Sequence, residues 1–97
     1  MELKNGYFVT AEIRTKREGD AEIAKIELRR LEEATGKEPG CTIFAIHQNN
    51  NDPRSFILWE RFEDESAYKK HFEYQHTKDY FSLDLTEIVQ FYQTDLI

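Results

Sequence analysis

"LWERFEDESAYKKHFEYQH", residues 58–76, changes its hydrophobic period half-way along. Up to Phe62 the apolar side chains alternate, with Leu58 and Phe62 on one side and Trp59 on the other, which is the period of a β-strand. From Asp64 the period lengthens. Asp64 can cap a helix N-terminus, and Tyr68 and Phe72, with Ala67 and His71 alongside, form the less polar face of a helix expected over Glu65–His76.

Working outward from this junction, Arg54–Phe62 is a strand, and Asn49-Asn50-Asn51-Asp52-Pro53 carries the turn-forming residues that pair it in a hairpin with Cys41–Gln48. Tyr7–Thr15 alternates as a first strand. Gly19-Asp20 offers a turn and an N-cap for a helix from Ala21 to about Lys37, with Ile23, Ala24, Leu28, Leu31 and Ala34 on its apolar face. Gly36 and Glu38-Pro39-Gly40 stop it. Residues 77–85 read as irregular or a short helical turn, and Thr86 to about Asp95 closes as a last strand. The order βαββαβ predicts the ferredoxin-like α+β arrangement, a four-stranded antiparallel sheet with both helices on one face.

Residues 1–97 are expected to form a single domain. A chain of this length hides only about 60–65% of the surface that its unfolded form exposes, so its core is thin. The net charge of −6 comes with no basic run longer than Lys16-Arg17, Arg29-Arg30 and Lys69-Lys70, which argues against nucleic acid as a partner. Cys41 stands alone, as in a reducing compartment. Neither a membrane span nor a signal-peptide core is visible, and a cytoplasmic location is expected.

Both faces of the hairpin are apolar. Phe56, Leu58 and Phe62 oppose Ile57 and Trp59, while Cys41, Ile43 and Ala45 oppose Thr42, Phe44 and Ile46. Helices cover one face only, so the other presents a patch of the kind that marks an interface. It either wraps round its own loops or packs against a second copy, and the homodimer reading takes Phe44, Ile57 and Trp59 as interface residues.

His71 and His76, five helical steps of about 100° apart, would diverge by roughly 140° on one helix, whereas a helical metal pair wants a spacing of three or four. Cys41 has no companion at ligand spacing, and no metal is expected. Glu60 shares a strand face with Phe56, Leu58 and Phe62, where desolvation should raise its pKa into the range useful for proton transfer. His71 is its candidate partner. The two either fix the helix on the sheet through a structural hydrogen bond or handle protons at a pocket wall. His76 suits a helix C-terminus or a pocket mouth. Tyr68, Phe72 and Tyr80 are core or rim aromatics that also suit a planar substrate.

Glu38-Pro39-Gly40-Cys41, Phe44-Ala45-Ile46-His47-Gln48, the run Asp52 to Phe62, Ala67 with His71, and then His76 together resemble the antibiotic biosynthesis monooxygenase family. Two positions depart from its pattern: Gln75 stands where a proline often precedes the second histidine, and Phe62 where a tryptophan is frequent. The resemblance implies a dimeric α+β barrel with a small pocket in each protomer. It also implies cofactor-independent monooxygenation of a small phenol or quinol, with Glu60 or His71 as the base. His47, Phe62, Tyr68, Phe72, His76 and Tyr80 are then the candidate substrate-binding residues. No nucleotide or flavin fingerprint is present, and no cofactor is expected. Other activities on the same fold are isomerisation of a sugar phosphate, for which Arg61 is the obvious cation, and haem degradation. A non-catalytic small-molecule-binding module is a further alternative.

Overall fold

The structure, a computed structural model, describes residues 3–97. Four strands, β1 (Tyr7–Thr15), β2 (Cys41–Asn49), β3 (Asp52–Phe62) and β4 (Thr86–Thr94), form one sheet in the order β2-β3-β1-β4 with every pair antiparallel. Three helices cross it: α1 (Ala21–Thr35), α2 (Glu65–His71) and α3 (Gln75–Ser82). The topology is the expected ferredoxin-like one, with one helix more than the sequence period suggested. Among the described residues, no helix is long and apolar enough to cross a membrane.

The helix expected over Glu65–His76 ends at His71, and a second begins at Gln75. Asp64 caps α2 as expected, its carboxylate accepting from the Ala67 amide at 2.8 Å. Tyr74 leaves the helix for an extended conformation and its carbonyl accepts from the Thr77 amide, which starts α3. Of residues 77–85, read as irregular or a short helical turn, those up to Ser82 are helical. At the start of α1, Asp20 occupies the cap position without capping, because its carboxylate takes Arg17 at 2.7 Å instead.

The core lies between the sheet and α1. Ala24, Leu28, Leu31 and Thr35, spaced four, three and four, bury the α1 stripe against Ala11, Ile13, Phe56 and Leu58. Ile23, expected on that stripe, is exposed. A bulge at the start of β2 alters its faces: Cys41 pairs with Phe62, Ile43 with Arg61 and Phe44 with Glu60. Cys41 therefore shares the helix-covered side with Phe44 and Ile46, while Ile43 and Ala45 stay on the open side. Phe44 packs against the core, so its expected place on the exposed face is corrected.

Strict alternation sets the two faces of β3. Phe56, Leu58, Glu60 and Phe62 point under the helices, and Ile57, Trp59 and Arg61 point away. Arg61 is nevertheless buried, because residues 4–6 lie over it. Its guanidinium donates to the Lys4 and Asn5 carbonyls, at 3.1 and 2.6 Å, and to Thr42 Oγ1 at 2.8 Å. Gly6 gives room at this crossing, since a Cβ there would stand 2.8 Å from the guanidinium and make it shift. At the outer edge of β2 the Ile46 amide donates to Glu32 of α1 at 2.7 Å.

Candidate active site

A cavity of about 190 Å³ opens between the sheet and the helices, walled mainly by apolar side chains. Glu60 of β3 and His71 at the end of α2 both line it, together with Tyr68, Phe72 and Tyr80. Phe44 forms part of the same wall.

Glu60 is the electrostatic anomaly of this wall. Its pKa is pushed up to about 7, first by burial and then by the negative charge of Glu38. The same apolar setting raises Tyr68 to about 12, with burial as the main cause and Glu60 and Tyr7 adding to it. At neutral pH the cavity thus offers one carboxyl near its titration midpoint beside phenols that stay protonated.

The partnership expected between Glu60 and His71 is replaced by another. His71 Nδ1 lies 2.8 Å from Oε2 of Glu38, in the loop that leads into β2. Burial lowers the His71 pKa against the opposing pull of Glu38. A carboxylate on Nδ1 fixes the tautomer that carries its proton there and leaves Nε2 as the free acceptor. The ring is held by Phe44, Phe62 and Phe72, with centroids at 5.5, 5.7 and 5.1 Å.

His76 reaches the same carboxylate oxygen, with Nε2 at 2.5 Å. The roughly 140° divergence expected for the two histidines assumes one continuous helix. The break at residues 72–74 removes that premise and turns both imidazoles toward Glu38, with Tyr74 stacked on His76 at 5.4 Å and an interplanar angle of 14°. His76 lies outside the cavity, half-buried at the start of α3.

Two further placements differ from expectation. His47 is exposed on the open face of the sheet, its ring 4.4 Å from that of Trp59, because β2 alternation puts it opposite Ile57. Phe62 is fully buried behind the cavity wall, against Tyr68 and His71. Ile57 and Trp59 do lie on the open face, and Trp59 is 54% exposed.

Glu38 is the residue that the sequence reading missed. It sits in a Glu-Pro-Gly turn with no hydrophobic period, 33 positions from His71. Gly40 closes that turn in the left-handed region at φ +85°, and a Cβ there would meet Ala67 Cβ at 2.7 Å, so glycine is what lets the Glu38 loop sit against α2. Thr77, 1% exposed, places its hydroxyl 3.4 Å from His71 Nδ1 and was also missed. One signal for the helix break was present: a family proline at position 75 marks the first residue of a helix, which is what Gln75 is.

A family model described as antibiotic biosynthesis monooxygenase matches residues 6–82. The uncharacterized protein YjcS of Bacillus subtilis (strain 168) is 35% identical over 82 residues, covering 84% of this chain and 78% of its own. The solved structure of protein YJCS superposes with a TM-score of 0.87 at 31% identity, covering 97% of this chain and 100% of that one. PA3566 from Pseudomonas aeruginosa has a TM-score of 0.84 at 23% identity, over 100% and 99% of the two chains, which is a likeness of fold.

Proposed function

Because the chain belongs to the antibiotic biosynthesis monooxygenase family, we propose that it is a cofactor-independent monooxygenase of a small phenol or quinol, with Glu60 as the base. The observation that carries this reading is a carboxyl of pKa about 7 on the wall of an apolar cavity. A general base is most effective when its pKa lies near the working pH. Ionised Glu60 would take the hydroxyl proton, and the resulting electron-rich anion would itself reduce dioxygen. His71 Nε2, held as an acceptor by Glu38, would hydrogen-bond a second substrate hydroxyl, and Phe72 and Tyr80 would stack on the ring.

Size and charge narrow the substrate. About 190 Å³ is below the roughly 300–1,000 Å³ of sites for drug-sized ligands, which favours one or two rings over a haem. Arg61, the candidate cation for a sugar phosphate, lies on the other side of the sheet in bonds to main-chain carbonyls and Thr42, which disfavours that isomerase reading.

The open face supports a homodimer. Trp59 and Tyr92 are 54% and 57% exposed on the side that no helix covers. Two copies packed through this face would bury them.

Oxygen uptake with a panel of quinols and phenols tests the activity. Glu60→Gln is expected to lower the rate by about 10²–10⁴-fold, and the wild-type rate to rise with pH through about 7 as Glu60 ionises. An unchanged rate in Glu60→Gln, or a rate that falls across that range, would remove Glu60 from the mechanism.

A further inference from the structure

We propose that Glu38, His71 and His76 form a binding site for a divalent first-row transition-metal ion of the zinc type. The three side chains come from three segments: the loop before β2, the last residue of α2 and the first turn of α3. Their donor atoms, a Glu38 carboxylate oxygen, His71 Nδ1 and His76 Nε2, all lie within 4.8 Å of one another. Two imidazoles and one carboxylate are a donor set that zinc, iron and their neighbours accept, and that magnesium and calcium, which want oxygen ligands, do not.

A second observation points to a cation. Glu38 is buried, with its side chain 2% exposed, and no lysine or arginine pairs with it among the described residues. Its Oε2 takes both imidazoles while its Oε1 is buried with no hydrogen-bond partner among the described residues. A buried carboxylate left half satisfied is costly, and a metal ion would engage the charge that the two rings, both on Oε2, only partly meet.

The surroundings suit a metal site. Phe44, Phe62 and Phe72 fix the His71 ring and Tyr74 fixes His76, so both ligands are oriented in advance. Metal–ligand bonds of about 2.0–2.1 Å in a tetrahedral set separate donors by roughly 3.3 Å. The present 2.8 and 2.5 Å contacts would open by less than about 1 Å to admit the ion. His76 is the partly exposed member, at 26%, and provides both the entry path and room for a water in the fourth position. Neither Glu38 nor His76 lines the cavity, so the ion would sit beside it and clamp the turn between α2 and α3. Ligation through Nδ1 would move the His71 proton to Nε2, so the ion-loaded chain would present a donor to the cavity where the ion-free chain presents an acceptor.

Calorimetric titration of the untagged, chelator-treated chain with zinc, and separately with magnesium, tests the proposal. One zinc per chain is expected, with a rise in melting temperature that magnesium does not produce. His76→Gln alters the most exposed ligand and should leave the fold intact while weakening binding by more than about 100-fold. His47→Gln, a change outside the cluster, should bind zinc as the parent does. Absence of saturable zinc binding in the parent would overturn the site and leave a purely hydrogen-bonded triad. Zinc binding that survives His76→Gln, or disappears in His47→Gln, would equally overturn it.

Discussion

The two faces of the sheet carry similar side chains and have opposite fates. Under the helices, Phe56, Leu58 and Phe62 are buried to 8% exposure or less, and Glu60, set among them, is driven toward neutrality. On the open side Trp59, His47 and Tyr92 remain exposed, and Arg61 is covered by residues 4–6 and keeps its charge satisfied by main-chain carbonyls. Hydropathy alone does not separate the faces. What separates them is cover: desolvation raises the pKa of a carboxylate on one side, and its lack leaves apolar rings exposed on the other.

Three substitutions probe that contrast. Phe62→Ala removes a fully buried ring from the covered face and is expected to cost about 3–5 kcal/mol in denaturant unfolding. A loss of under 1 kcal/mol would mean that the covered face is not a packed core at this end. Glu60→Gln should act next. Its carboxyl binds a proton more tightly folded than unfolded, so its contribution to stability is complete below about pH 4.5 and is lost as the pH rises through about 7. The gap of roughly 2.5 pKa units is worth about 3 kcal/mol, so Glu60→Gln should gain on the parent by up to that amount between pH 4.5 and 8. Parallel stability curves for the two proteins would contradict the desolvation of Glu60. Trp59→Ala, on the open face, should change the stability of the isolated chain by only about 0.5–1 kcal/mol. It should instead shift the sedimentation of micromolar protein toward the monomer, and an unchanged sedimentation profile would deny the face its role in assembly.

The fold was legible in the sequence because alternation in Tyr7–Thr15 and Arg54–Phe62 fixes which residues share a face, and turn residues at 49–53 fix the hairpin. Glu60 was legible for the same reason, as a charge in an apolar stripe. The rest depended on contacts between distant segments. Local periodicity carried Glu65–His76 as one helix, whereas the break brings both imidazoles to Glu38 and stacks Tyr74 on His76, contacts that no local period encodes. Glu38 itself could not be found by pattern, since a carboxylate in a turn is ordinarily solvated. Phe44 was assigned to the wrong face because a bulge at Thr42-Ile43 shifts the alternation by one residue.

The bond from the Ile46 amide to Glu32 bears on how the chain behaves when crowded. β2 and β4 are the two free margins of the sheet, and a filament built by strand addition needs both. At the β2 margin a helix-borne carboxylate already holds a donor near the middle of the strand, and a carboxylate is a poor neighbour for an incoming backbone carbonyl. Strand addition at the β2 margin is disfavoured by that carboxylate, which leaves β4 as the more open margin. A single side chain on α1 thus makes that margin a poorer template for an incoming strand.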